Sequence, residues 1–235
     1  MGHHVSALRR RLNRPGPLGR AWRIAYEAGY TALKTMVMLS TSPMFRVRRV
    51  GRRARVPRNQ RIVLCPNHES YLDPAFVQMV MRRRVTFVMT NDFYAWKPMR
   101  WFFALVGAIP VDAGRLARRG LRRAIATVKR GQAVGLFPEG RLSRDGRRGS
   151  GQRGVAILAR RTGAWIVPVG IVGARRAWPA GAKHPRAARV RVAFGPPMRW
   201  TEPPHDRPLR DAENDFAAEL MARIETVLEG LGARA

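Results

Sequence analysis

The sequence predicts an α/β protein with a mostly parallel central sheet flanked by helices. Two observations carry this. Seven short apolar runs rich in β-branched residues recur along the chain, and segments with helical periodicity separate most of them. Strands that alternate with helices favour parallel pairing with helices packed on the sheet. A third observation bounds the size: 235 residues, 46% of them hydrophobic, suffice for one sizeable core and argue against disorder.

The elements follow in order. Residues 1–17 form a basic arm ending in Arg-Pro-Gly-Pro. From Leu18 to about Leu39 the periodicity is helical, with Leu18, Trp22, Ala25, Tyr26, Tyr30, Leu33 and Val37 at three- and four-residue steps. Arg20, Arg23, Glu27 and Lys34 fall largely elsewhere on the wheel. Such a helix either packs on the core or lies in a membrane interface, its aromatics at headgroup depth. Residues 1–60 carry 14 bases and one acid, which favours an anionic membrane surface, where each base contributes about 1 kcal/mol. The chain therefore divides near residue 42: residues 1–42 are a basic arm and interfacial helix, and residues 43–235 are one α/β domain.

Predicted strands are 45–50, 61–65, 85–89, 108–111, 133–137, 165–171 and 189–194; predicted helices are 74–83, 93–105, 115–130, 151–162 and 209–229. Helix 115–130 sets Leu116, Leu121, Ala124, Ile125 and Val128 on one face and stops at Gly131; helix 151–162 stops at Gly163. Residues 143–154 form a basic, glycine-rich loop, either mobile surface or a grip for phosphate. The longest apolar run, 101–111, is too short to span a bilayer. A single cysteine, Cys65, excludes an internal disulfide framework and fits a reducing compartment. The expected location is the cytoplasmic face of the cell membrane, held peripherally.

Charge is the most unusual property. The net charge is +30, and 41 of the 45 basic residues are arginine. Such a field attracts polyanions or anionic membranes. Residues 1–201 hold seven acids; from residue 202 onward there are eight acids and four bases, which makes the last helix acidic. A carboxylate kept in the basic part needs a local reason. Five of the seven lie in three short blocks: NHESYLD (67–73), GAIPVD (107–112) and FPEGRLSRDG (137–146).

In the first block His68 and Asp73 stand five residues apart. A helix would set them about 140° apart and a strand on opposite faces, so they meet only if the chain turns between them. Pro66 and Asn67 end the preceding strand, and Asp73-Pro74 opens a helix, with Asp73 also a candidate N-cap. If they meet, the carboxylate orients the imidazole and the free ring nitrogen serves as a general base. Cys65 is a poor nucleophile at the end of a buried strand, and Ser70 lacks a Gly-x-Ser-x-Gly elbow. The simplest nucleophile is then a hydroxyl of the substrate.

These blocks resemble a family. NHESYLD resembles the Asn-His-x-x-x-x-Asp motif of glycerolipid acyltransferases of the lysophosphatidate (1-acylglycerol-3-phosphate) acyltransferase type. GAIPVD, FPEGRLS (137–143) and IVPVGI (166–171) resemble its second, third and fourth blocks, in the same order. The resemblance implies acyl transfer from acyl-CoA or acyl carrier protein to the hydroxyl of a lysophospholipid, with no further cofactor and no metal. It implies His68 as the base and Asp73 as its orienter. It puts Asn67, Ser70, Asp112, Arg115, Glu139, Gly140, Arg141 and Ser143 at the substrate, with Glu139, Gly140 and a neighbouring arginine seating the glycerol phosphate. Two positions depart from the pattern: Arg141-Leu142 replace the usual threonine-arginine, and Ala113 follows Asp112. They leave a different lysolipid, or an ornithine-type lipid, as an alternative acceptor. A basic nucleic-acid-binding protein is the rival from another class, although no zinc-ligand spacing or RNP-like motif accompanies the charge; a hydrolase acting on thioesters is the other.

Overall fold

The computed structural model describes residues 17–41, 43–51, 60–90, 108–111, 117–143 and 148–232. The elements are α1 (Pro17–Thr41), β1 (Phe45–Val50), β2 (Ile62–Pro66), α2 (Asp73–Val80), β3 (Val85–Thr90), β4 (Ile109–Val111) and α3 (Ala117–Lys129). They continue with β5 (Ala133–Gly135), α4 (Gly154–Thr162), β6 (Trp165–Val172), α5 (Ala174–Ala177), β7 (Ala188–Phe194) and α6 (Leu209–Gly230). One seven-stranded sheet has the order β1-β7-β6-β2-β5-β3-β4. Every neighbouring pair is parallel except β6 and β7. The predicted α/β class and mostly parallel sheet are therefore what the chain adopts.

β2 sits mid-sheet and is buried along its whole length, as a strand covered on both faces requires. Its side chains alternate between two cores. Val63 and Cys65 join Val128 of α3, Leu158 of α4 and Leu220, Ile224 and Leu228 of α6. Ile62 and Leu64 join Phe76 and Val77 of α2, with Ala174 and Ala177 of α5. Each fully buried aliphatic or aromatic side chain here contributes about 1.5–3 kcal/mol. Gly135 lets β5 fit beside β3, because a Cβ there would lie 2.2 Å from the Phe87 ring.

All seven predicted strands are present, with β5 shorter than expected. The helix expected from 151 begins only at Gly154, since Gly149 and Gln152 bond to the 137–140 turn. The helix predicted over 93–105 lies outside the described residues. The four-residue α5 carries no sequence signal and was not expected.

Helix α1 exists, but its two sides differ from the expectation. Tyr26 and Tyr30 face the protein, where the Arg84 guanidinium lies 4.8 and 4.9 Å from their ring centres, and Lys34 Nζ donates to the Met81 carbonyl at 2.5 Å. Burial pushes the Tyr30 phenol up to about 12, opposed by Arg84. The strongly exposed apolar residues are instead Ile24, Met36 and Leu39 on another face. Among the described residues no helix is long and apolar enough to cross a membrane.

β2 and β5 are neighbours, so the turns that follow them emerge side by side at the carboxyl ends of the strands. Leu136 N–H donates to the Leu64 carbonyl at 2.9 Å and prolongs the pairing into the turn. Open α/β sheets bind ligands in this position.

Candidate active site

The His68 turn is built from its backbone bonds. Pro66 ends β2, and the Asn67 amide then takes over the pairing with β6. Its Nδ2 donates to the Ile171 carbonyl at 3.0 Å, and its Oδ1 accepts from Ile171 N–H at 2.8 Å. The chain turns over residues 68–72 and enters α2 at Asp73-Pro74. Asp73 Oδ2 accepts three hydrogen bonds, from Glu69 N–H, Ser70 N–H and the His68 ring at Nδ1, each 2.8 Å long. The carboxylate thus points back into the turn, and no side-chain bond caps the start of α2. Ser70 Oγ donates to the Trp178 carbonyl at 3.1 Å and accepts from Leu72 N–H at 3.2 Å, while the Tyr71 ring stands edge-on to Trp178.

This arrangement fixes the chemistry of the imidazole. Asp73 is completely buried, and three donors on one oxygen hold its charge. A carboxylate only accepts, so Nδ1 carries the proton and Nε2 is left with a free lone pair. The Phe137 ring stacks on His68 at 3.7 Å and 15°, which holds the imidazole plane. The His68 side chain remains 17% exposed, open to an incoming molecule.

The turn after β5 docks against the same backbone. Glu139 is buried; its Oε1 accepts from His68 N–H at 3.2 Å and its Oε2 from Gly149 N–H at 3.0 Å. Ser143 N–H donates to the His68 carbonyl at 2.9 Å. Gly140 has φ +71°, and a Cβ there would sit 2.2 Å from Gln152 Nε2, so the turn requires glycine. Gln152 closes it, donating from N–H to the Pro138 carbonyl at 2.8 Å and from Nε2 to the Glu139 carbonyl at 3.2 Å.

The acidic α6 holds this segment from behind. Arg148 Nη2 lies 2.5 Å from Glu225, and buried Glu213 accepts from Arg153 at 3.4 Å and Arg160 at 3.2 Å. Within 148–153, Arg148 and Arg153 are therefore turned towards α6, while residues 144–147 of the predicted loop lie outside the described residues. Glu69 stands among Asp73, Glu139, Arg148 and Arg175; burial raises its carboxyl above the usual range, Asp73 adds to this, and the two arginines oppose it.

The structure brings His68 and Asp73 together as the sequence suggested. Asn67, Ser70 and Glu139 lie beside them, and their side chains bond to the protein's own backbone. Gly140 shapes the turn, Arg141 is exposed on it, and Ser143 holds His68 through its amide. Asp112 and Arg115 lie outside the described residues. Cys65 faces the α4–α6 core, and burial raises its thiol, which removes it as a nucleophile. Sequence reasoning missed the Phe137 stack, although Phe137 stands in the third block. It also missed Trp178 and the Arg148–Glu225 pair, for which no local pattern exists.

Comparisons with known proteins identify the family. The acyltransferase family model matches residues 47–172. The chloroplastic 1-acyl-sn-glycerol-3-phosphate acyltransferase LPAT1 of Arabidopsis thaliana is 26% identical over 154 residues, 64% of this chain and 42% of that protein. The chloroplastic 1-acyl-sn-glycerol-3-phosphate acyltransferase BAT2 of Brassica napus is 29% identical over 125 residues, 52% of this chain and 36% of that one. The chain thus spans less than half the length of these curated relatives. The crystal structure of the 1-acyl-sn-glycerophosphate acyltransferase PlsC from Thermotoga maritima superposes with a TM-score of 0.72 at 20% identity, covering 100% of this chain and 89% of that one, a likeness of fold. With its His68–Asp73 turn inside the matched segment, the chain belongs to the acyltransferase family.

Proposed function

We propose that this chain moves a fatty acyl group from a thioester donor, acyl-CoA or acyl carrier protein, to the free hydroxyl of a lysophospholipid. The favoured acceptor is 1-acylglycerol-3-phosphate, the substrate for which the relatives are named. The carrying observation is the 2.8 Å bond from His68 Nδ1 to the buried Asp73. His68 Nε2 takes the proton of the acceptor hydroxyl as its oxygen attacks the thioester carbonyl carbon. The tetrahedral intermediate collapses with rupture of the C–S bond, and the imidazolium returns the proton to the departing sulfur. Asp73 stabilises that imidazolium through Nδ1–H and keeps the ring from rotating. Such general-base assistance is worth roughly 10²–10⁴ in rate. Glu139 acts in this reading by holding the His68 backbone, and Arg141, exposed on the same turn, is the cation offered to the acceptor phosphate.

The chain works at the cytoplasmic face of the cell membrane, with residues 1–42 lying on an anionic lipid surface and residues 43–235 forming the catalytic domain. The exposed Ile24, Met36 and Leu39 on α1 support this. A panel of lysolipids offered with acyl-CoA and with acyl carrier protein, read by mass spectrometry, tests the proposal. Diacyl product that appears only with lysolipid, and fastest with lysophosphatidate, supports it; free fatty acid formed at the same rate without lysolipid means a hydrolase.

A further inference from the structure

β1 and β7 carry an unusual pattern. They pair in parallel with Arg46 opposite Arg189 and Arg48 opposite Arg191. Phe45, Val47, Val190 and Val192 alternate with these arginines and face the core shared with α2 and α5. All four arginines therefore project from the other side of the sheet, and all four are exposed. Strand spacing puts each opposed pair about 4.8 Å apart at the backbone, and the rows are about 6.6 Å apart along the strand. Like charges directly opposite one another destabilise a sheet. None of the four has an acidic partner among the described residues. An external anion would relieve this repulsion.

The neighbouring residues indicate which anion. Among the described residues the exposed large apolar side chains are Trp22, Ile24, Met36, Leu39, Met44, Val50 and Leu209, and all but Leu209 belong to α1, β1 or their connection. Leu39 and Arg46 are seven residues apart, within about 25 Å of chain. Nucleic acid or an acidic protein would neutralise arginine but gives a helix of exposed aliphatic side chains no hydrocarbon to enter. A phospholipid surface supplies both.

We propose that Arg46, Arg48, Arg189 and Arg191 grip anionic phospholipid headgroups, forming the charged half of a lipid-surface contact whose apolar half is the exposed face of α1. This rests on the membrane reading above and adds to it a second, separate element. The patch belongs to the sheet and not to the helix, so removing it leaves α1 intact. Arg191 stands opposite Val172 on β6, beside the Ile171 that bonds Asn67, so the patch belongs to the sheet and not to the His68 turn, and it supplies no group to the proton transfer.

Sedimentation of the full chain with vesicles of phosphatidylcholine, alone or mixed with phosphatidylglycerol, tests the proposal across a salt series. The comparison is between wild type, a chain with all four arginines changed to Gln, a chain with only Arg48→Gln and Arg191→Gln, and a Met36→Asp/Leu39→Asp chain. The fourfold variant is expected to lose on the order of 100-fold or more in partitioning to the anionic vesicles, and most of its salt dependence, with turnover of a short-chain monomeric lysolipid unchanged. The twofold variant should lose on the order of 10-fold, and keeps the test decisive if the fourfold one misfolds. Unchanged partitioning and salt slope in the arginine variants, with binding lost in the α1 variant, would overturn the arginine patch and leave the membrane reading standing. A wild-type chain that ignores both vesicles overturns both. Loss of duplex-DNA retention by the arginine variants, with vesicle binding intact, would replace lipid by nucleic acid.

Discussion

Asp73 holds the His68 ring through the same carboxylate oxygen that gathers the amides of Glu69 and Ser70. The orienting bond and the turn that makes it possible are therefore one feature. The second oxygen, Oδ1, is buried and has no hydrogen-bond partner among the described residues. One oxygen answers three donors and leaves its twin idle, so both the charge and the acceptor character of Oδ2 are needed.

Asp73→Asn removes the charge and buries an NH₂ group that meets either three donors or no acceptor. Its kcat should fall by roughly 10²–10⁴ with little change in the acceptor KM. Its stability should fall by about 1–3 kcal/mol, the usual cost of an unsatisfied buried polar group. Steady-state kinetics and chemical denaturation give both numbers. A rise in KM alone would make Asp73 a substrate contact.

Glu139→Gln tests whether this carboxylate holds backbone or substrate. Its oxygens accept from His68 N–H and Gly149 N–H, and an amide can accept at only one of those places. The expected loss is about 1–3 kcal/mol in stability with a lowered kcat, while the acceptor KM stays close to wild type. A KM that rises with kcat and melting temperature unchanged would put Glu139 on the acceptor.

Glu225→Gln should loosen the 148–152 segment, because Arg148 loses its charged partner on α6. In a double-mutant cycle with Arg148→Gln the coupling energy should be about 1 kcal/mol, read by thermal denaturation. Additive effects would show that the pair contributes nothing.

Glu69 gives a pH signature. Burial raises its folded-state pKa, so the folded protein binds this proton more tightly than the unfolded chain. The group therefore supports the fold at acid pH, and that support is lost as pH rises through the folded pKa. Glu69→Gln should accordingly raise the melting temperature at pH 7 relative to wild type, with the gain vanishing towards pH 4. An equal gain at both values would rule out ionisation as its cause.

Much of the sheet was legible because a covered strand needs a nearly unbroken apolar run, and Ile62–Pro66 and Trp165–Val172 each supply one. The His68–Asp73 pairing was legible for a different reason: their spacing allowed contact only through a turn, and Pro66 and Pro74 bracket that turn. What stayed hidden depends on contacts distant in sequence. Nothing local to Glu139 announces that its carboxylate will be used by amides 71 and 10 residues away. The same holds for Asn67, whose amide serves Ile171 across 104 residues. On α1 the periodicity located a helix, but the tyrosines turned towards Arg84 and left Ile24, Met36 and Leu39 outside. A helix apolar on two sides does not declare which side the protein will cover.

The central claim is that His68 takes the proton of an acceptor alcohol. Its most direct test is diacyl product formation by His68→Ala, followed by mass spectrometry with lysolipid and acyl thioester both saturating, alongside the circular dichroism of the same sample. A folded variant whose rate has dropped by roughly 10²-fold or more is the predicted result. A folded variant that makes diacyl lipid at close to the wild-type rate would contradict it.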